Sequence, residues 1–181
     1  AVVEQATIPV IKHYKGVCHV YVDADADLQM AVEIAYNAKC QRPAVCNAME
    51  TLLVDQAVAG TFLPTLGRRL EAKKVELRCD ATALALLQSS IVNRQSPIRP
   101  ASEQDWFTEY NDYILNVRVV DNVQAAIDHI NYYGSAHSDA IVTRNEAHAK
   151  QFLAEVDSAT VYWNASTRFT DGGEFGMGAE I

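Results

Sequence analysis

The sequence predicts an α/β fold in which helices cover a largely parallel sheet. Short apolar segments rich in β-branched residues alternate along the chain with longer segments of helical periodicity. The strand-like segments are near-continuous apolar runs, as in strands that are buried on both faces. Of the 181 residues, 49% are hydrophobic and 21% are charged, so the chain can bury a sizeable core. This length favours one domain, or one lobe of a larger protein.

The first part of the chain predicts a strand, a helix and a second strand. Residues 17–22 are apolar, β-branched or aromatic and predict a buried strand. Acidic residues at 23–27 offer N-caps for a helix whose apolar stripe runs over 28–36. A short turn at 41–47 then leads to a strand at 51–54.

The middle of the chain predicts a long helix and a loop. A helix at 57–73 has its large apolar residues on one side, and Pro64 must fall in its first turn or kink it. A strand at 75–78 and a short helix at 81–88 follow. Residues 89–105 are rich in serine and proline and predict an exposed loop.

The last part repeats the alternation and then changes character. It contains a strand at 113–120, an amphipathic helix at 123–133, a strand at 139–143, a helix at 146–156 and a strand at 160–163. Gly134 is a natural C-cap for the first of these helices. The tail at 164–181 is polar and glycine-rich. Because it follows the carboxyl end of a strand, where such sheets place their ligands, we expect the ligand site there.

Charge and composition exclude several functions. The net charge is −8 and no stripe of Lys or Arg is present, which argues against nucleic-acid binding. No apolar run approaches the roughly 18 residues of a membrane span. The four cysteines form no C-x-x-C pair and no zinc-spaced cluster, so we expect no metal. They predict reduced thiols in a cytoplasmic protein.

Cys46 is the candidate nucleophile. It lies in the run QRPAVCN at 41–47, between a predicted helix and a predicted strand, where no apolar periodicity continues. Backbone N–H groups of such a turn favour a thiolate and can bind an oxyanion, with Asn47 next in the chain. The alternative is an inert, buried thiol, which is how we interpret Cys18 and Cys40. Cys79 has no assigned role.

Several motifs together resemble the γ-glutamyl phosphate reductase family of the aldehyde dehydrogenase superfamily. They match in order and spacing over nearly the whole chain, and the tail motif is long and specific. The matching stretches lie at 8–11, 16–23, 37–39, 41–43, 45–47, 137–141 and 161–173.

The resemblance implies an aldehyde-dehydrogenase-like catalytic domain over 1–181. It also implies NADPH-dependent reduction of γ-glutamyl phosphate to glutamate-5-semialdehyde in proline biosynthesis, through a Cys46 thioester. The family binds its cofactor on an N-terminal domain and closes with a C-terminal oligomerisation segment. Neither is recognisable here, so we expect this chain to be inactive alone and the full-length protein to be a homo-oligomer.

The resemblance also assigns Glu109 to the nicotinamide ribose, since a carboxylate accepts hydrogen bonds from sugar hydroxyls. Asp105 and Asp112 are rival positions, and a solvated loop acid is the structural alternative. Hydrolytic aldehyde dehydrogenases carry an upstream glutamate base. The corresponding neighbourhood, around Lys12, holds no carboxylate, which fits a phosphate-linked reductase.

A set of polar residues is assigned to the substrate. A guanidinium binds a carboxylate or phosphate bidentately, and neighbouring hydroxyls and amides add hydrogen bonds. The candidates are Arg168, Asn164, Ser166, Thr167, His137 and Arg42. For each of them, stabilisation of a loop is the competing interpretation.

Two other functions remain open at this point. One is a different acylating, phosphate-linked semialdehyde dehydrogenase, which would differ in substrate. The other is a non-catalytic α/β assembly module in which Cys46 is an inert turn residue.

Overall fold

The seven strands of the computed structural model form a single parallel sheet, as the sequence predicts. The structure describes residues 5–7, 15–90 and 95–177. The strands are β1 (Cys18–Val22), β2 (Met49–Asp55), β3 (Glu76–Cys79), β4 (Ile98–Pro100), β5 (Ile114–Val120), β6 (Ser138–Val142) and β7 (Thr160–Trp163). Their spatial order is β4-β3-β5-β2-β1-β6-β7, so β2 is the central strand and β1 lies between β2 and β6.

Within the described residues, six helices connect the strands, and a 3₁₀ turn at Thr167–Phe169 follows β7. The helices are α1 (Leu28–Cys40), α2 (Gln56–Glu71), α3 (Ala81–Ser90), α4 (Glu103–Trp106), α5 (Val123–Tyr133) and α6 (Glu146–Glu155). In the described part of the chain, none of them is long and apolar enough to cross a membrane.

The sheet is the middle layer of three. Helices α1, α2 and α3 bury their apolar residues against one face, and α5 and α6 bury theirs against the other. The strands alternate accordingly: Val20 and Val22 belong to the first core, and Tyr21 between them belongs to the second. Burial on both faces explains why β1 and β2 are buried at every position.

Side-chain caps fix the starts of the two long helices on the first face. Asp27 accepts hydrogen bonds from the N–H groups of Gln29 and Met30, and Asp55 accepts one from Ala57. Pro64 does not fall in the first turn, because α2 runs through it. A proline has no N–H to donate to the carbonyl four residues earlier, and here that carbonyl belongs to Gly60. Because Gly60 is exposed, water can bind that carbonyl.

The prediction of a continuous loop over 89–105 is wrong. Helix α3 extends to Ser90, β4 lies inside this region, and α4 begins in it at Glu103. Strand β4 is a three-residue edge strand, a position where a proline such as Pro100 is tolerated. Ser102 and Asp105 form a capping box at the start of α4. The prolines that suggested a loop therefore mark a sheet edge.

A close backbone approach connects the starts of β1 and β2. Gly16, just before β1, lies against the peptide of Cys46, just before β2. A Cβ atom at Gly16 would stand 1.8 Å from the carbonyl oxygen of Cys46. Only glycine lets the two segments pass this closely.

An aromatic cluster fills the space below α5. The ring of His129 meets the rings of His19, Trp106 and Tyr133 at centroid distances of 5.4, 5.6 and 4.5 Å. Its Nδ1 lies 2.9 Å from a guanidinium nitrogen of Arg118. Burial, the nearby His19 and the Arg118 cation lower the pKa of His129 to about 2, so the folded protein keeps this ring neutral.

The Gly16 approach yields a stability prediction. Gly16→Ala must displace one of the two segments, and we expect it to lower the free energy of unfolding by about 1–3 kcal/mol. Gly60→Ala is the matched control, since nothing lies within 4 Å of a Cβ there. In a helix interior that change should raise stability by about 0.5–1 kcal/mol. Urea unfolding of both variants tests the pair, and equal effects of the two would contradict the approach.

The neutral His129 yields a pH prediction. Its pKa in the fold lies below the unfolded value of about 6.5, so the unfolded chain binds the extra proton as the pH falls. Between about pH 6.5 and 5 this costs the native state up to about 2 kcal/mol. We expect His129→Phe to unfold with a weaker pH dependence over that range. All other titrating groups are the same in the two proteins, so their contributions cancel in the difference. If the free energy of unfolding of both proteins changed equally with pH, His129 would not be the neutral buried group.

Candidate functional site

The candidate site lies at the amino edge of the sheet, not at the carboxyl edge expected for its ligands. Cys46 is partly exposed in a turn between α1 and β2. Gly16 precedes β1, His137 precedes β6, and Glu109 belongs to the segment that leads into β5. Because parallel strands start at one edge, these segments meet there.

The tail returns from the carboxyl end of β7 to this same edge. The Thr167 hydroxyl donates to the backbone carbonyl of Asn47 over 2.7 Å, and the Asn47 amide donates to the carbonyl of Thr170 over 2.6 Å. The Thr170 hydroxyl accepts from Ser138 at 2.8 Å and lies 3.0 Å from the Tyr162 hydroxyl. Asn47 therefore joins the turn of Cys46 to the tail.

Arg168 completes this junction. Its Nε donates to the amide oxygen of Gln41 over 2.9 Å, and another guanidinium nitrogen contacts the amide oxygen of Asn47. Both of these partners are neutral, so among the residues that the structure describes no carboxylate is seen to cancel the Arg168 charge.

Cys18 packs under the candidate nucleophile. Its Sγ donates to the carbonyl oxygen of Cys46 at 3.2 Å and lies 3.8 Å from Nδ1 of His137. Burial, followed by the charge of Asp139, raises the pKa of Cys18 well above its ordinary value. This thiol stays protonated and can donate to the turn.

The two remaining cysteines are buried, as is expected of Cys40, whereas no role is assigned to Cys79. Cys40 is buried at the end of α1, and burial raises its pKa to about 11. Cys79 is buried in β3. Among the four, only Cys46 is not fully buried.

Geometry separates Glu109 from its two rivals. Its Oε1 accepts a hydrogen bond of 2.9 Å from the N–H of Gly16, directly beside the Cys46 peptide. Asp105 instead caps α4, and it also pairs with Arg78. Asp112 accepts from the neighbouring N–H of Tyr113 at 2.7 Å. Only Glu109 of these three acids reaches the candidate nucleophile's surroundings.

Two of the predicted substrate residues form their described hydrogen bonds with residues outside the Cys46 turn. Asn164 pairs both atoms of its amide with the backbone of Thr143, at 2.9 and 3.0 Å, at the carboxyl end of β6. Ser166 is buried and caps the 3₁₀ turn through a 3.3 Å bond from the N–H of Arg168. Arg42 is exposed in the Cys46 turn itself, and His137 lies 2.8 Å from the Ser138 hydroxyl.

The carboxyl edge carries a polar cluster of its own. Oxygen or nitrogen atoms of Asp23, Asp25 and His148 lie within 4.8 Å of one another. Asp23 is buried, which opposes ionisation, yet hydrogen bonds from Thr143 and His148 hold its pKa below the usual value. These internal bonds account for the cluster.

Sequence reasoning missed several residues of the amino edge. Gly16 and Thr170 are among them, as is an ion pair between Lys39 and Glu50. A glycine directly before a buried strand is the signal that could have identified Gly16. The Lys12 neighbourhood and the 8–11 motif lie outside the described residues.

Known proteins match the chain over nearly its whole length. It is 56% identical to the γ-glutamyl phosphate reductase of Enterococcus faecalis, covering 99% of this chain and 41% of that protein. It is 54% identical to that of Aquifex aeolicus, with 100% and 42% covered. No family profile matches it. The chain thus spans about two fifths of the curated relatives.

Solved structures agree. The γ-glutamyl phosphate reductase of Thermotoga maritima superimposes with a TM-score of 0.89 at 46% identity, over 99% of this chain and 41% of that one. Lactaldehyde dehydrogenase from Escherichia coli shares the fold, with a TM-score of 0.65 at 18% identity over 85% and 40%. The chain is therefore homologous, along its whole length, to one segment of the γ-glutamyl phosphate reductases, and it has the aldehyde-dehydrogenase-like fold.

Proposed function

We propose that this chain is the thiol-bearing catalytic portion of an enzyme that reduces γ-glutamyl phosphate to glutamate-5-semialdehyde and phosphate in proline biosynthesis. The observation that carries the proposal is Cys46, a partly exposed cysteine in a turn held from three sides. Gly16 lies against its peptide, Cys18 donates to its carbonyl, and the tail binds Asn47.

The chemistry needs a nucleophile that departs again. The Cys46 thiolate attacks the carbonyl carbon of the acyl phosphate, a C–S bond forms, and the bond from that carbon to the phosphate oxygen breaks. Phosphate leaves with the electron pair. Backbone N–H groups of the turn, next to Asn47, bind the developing oxyanion. After reduction, breaking the C–S bond releases the aldehyde and returns the thiolate.

The cofactor we assign is NADPH, which supplies the hydride when bound. Glu109 suits the hydroxyls of its ribose, because its carboxylate lies beside the Cys46 peptide, where Oε1 accepts the 2.9 Å bond from Gly16 and a carboxylate can accept several hydrogen bonds. We infer that most of the cofactor's binding surface belongs to a separate N-terminal domain. The intact enzyme would be a cytoplasmic homo-oligomer.

We assign the substrate's anionic groups to the polar side chains beside the turn. Arg168 is the main candidate, because its guanidinium is held by two neutral amides and keeps its charge for a carboxylate or phosphate. Arg42 is exposed in the same turn, and His137 lies close to Cys18. Thr167 and Ser166 support the tail, and Asn164 orders its start.

Selective alkylation tests the nucleophile. The chain is treated with iodoacetamide from about pH 5 to about pH 9, and each cysteine is followed by mass spectrometry. We expect Cys46 to react at least about tenfold faster than Cys18 and Cys40, with a midpoint below the free-thiol pKa of about 8.5.

Cys46→Ala is the control that identifies the labelled site, and Cys40→Ala should leave the Cys46 rate unchanged. Uniform labelling of all four cysteines, or none at Cys46, would favour the non-catalytic module. A different acylating semialdehyde dehydrogenase would appear instead as a preference for another aldehyde in assays of the full-length enzyme.

Turnover gives a second prediction. We expect the chain alone to show no steady-state, NADPH-dependent reduction, since it holds the thiol but not the whole cofactor site. In the full-length enzyme, Cys46→Ala should abolish phosphate-dependent oxidation of glutamate-5-semialdehyde. A measurable steady rate from the chain alone would show that the missing domain is not required.

A further inference from the structure

A fully buried ion pair spans the turn that carries Cys46. The Lys39 ammonium at the end of α1 lies 2.7 Å from Oε2 of Glu50 at the start of β2, and both side chains are 0% exposed. The two residues lie on either side of Cys46 in sequence, so their contact closes the turn at its base.

Stability alone is a poor explanation for this pair. Removing two charges from water costs several kcal/mol per ion, and apolar side chains of similar volume often serve a core equally well. Both side chains are fully shielded from water, so each charge loses its hydration. An ion pair has a defined geometry, so a role in fixing the position of the Cys46 turn explains the Lys39–Glu50 contact better.

Glu50 also holds a second segment of the site. Its Oε1 accepts a 3.3 Å hydrogen bond from the N–H of Asn111, two residues after Glu109. Glu109 in turn accepts from Gly16, which lies against the Cys46 peptide. One carboxylate therefore binds the base of the nucleophile's turn and the segment that carries the candidate ribose ligand.

The pair does this without adding net charge. Burial raises the pKa of Glu50 to about 7 and lowers the pKa of Lys39, so both groups move toward their neutral forms. An ion pair and a pair of neutral groups each sum to zero charge. While the two groups form an ion pair, they add no net charge at the base of the turn.

We propose that Lys39 and Glu50 are positioning residues that fix the Cys46 turn and align it with the Glu109 segment. This inference rests on the proposed role of Cys46 as nucleophile. It assigns the pair no contact with substrate or cofactor.

The test compares two double variants of this chain. Lys39→Met with Glu50→Gln removes both charges and leaves an acceptor for Asn111. Glu33→Gln with Arg69→Met is the matched control, because this exposed pair also binds α1 to a neighbouring element, at 2.6 Å. The readout is amide hydrogen exchange, resolved by mass spectrometry, in peptides that cover 41–48 and 109–113. Urea unfolding checks global stability.

We expect the buried-pair variant to exchange about tenfold faster in both peptides, with the middle of α1 unchanged. The control should leave both peptides as in the original chain. Native exchange in both peptides of a folded buried-pair variant would overturn the proposal, because a merely structural pair affects only global stability. Should that variant not fold, Glu50→Asp replaces it. The aspartate side chain keeps the charge but is too short to reach Lys39 and Asn111 together. Native exchange in both peptides of the Glu50→Asp variant would also overturn the proposal.

Cys46 alkylation on the same proteins separates this inference from the proposed function. If Cys46 is unreactive in the original chain while the variant's turn exchanges faster, the nucleophile assignment fails and the positioning role stands. If Cys46 reacts rapidly and equally in every variant, and exchange is native, the positioning role fails and the nucleophile stands.

Discussion

The amino edge of this sheet depends on the contact between Gly16 and the Cys46 peptide. It brings the segments before β1 and β2 closer than any side chain would allow. Because β1 lies between β2 and β6, its start is also the point where the segments before β5 and β6 converge: Glu109 binds the N–H of Gly16, and Ser135 binds that of Val17 at 2.8 Å. The candidate site is thus formed by the segments that precede four neighbouring strands, and contacts to backbone groups hold these segments together.

Two groups of buried, mutually bonded polar side chains lie at opposite edges of the sheet. Asp23 binds Thr143 and His148 at the carboxyl edge, while Lys39 and Glu50 meet near the amino edge. Between the edges the strands contribute apolar side chains to both cores. This distribution follows from the cost of isolated charges in a layered core, and it concentrates chemistry where loops begin.

The sequence predicts the elements well and the site's position poorly. Apolar runs and acidic N-caps are local signals, so β1 and α1 are found close to their true bounds. Which edge holds the ligand site depends on where the tail goes after β7, and hydrogen bonds of Thr167 and Thr170 decide that at long range. The sequence did not predict the ion pair between Lys39 and Glu50, because a lysine on a helix is ordinarily exposed to solvent.

Few of the described groups around Cys46 carry a charge that could stabilise its thiolate. Helix α1 ends shortly before the turn, and a helix carboxyl end carries partial negative charge, which opposes a thiolate. Lys39 is neutralised by Glu50. In the part of the chain that the structure describes, two cations then remain at the turn: Arg42, which is exposed in it, and Arg168 of the tail, whose described partners are the amides of Gln41 and Asn47. For the proposed role of Cys46 as nucleophile, docking of the tail therefore matters before any substrate binds, because it brings the Arg168 cation to the turn.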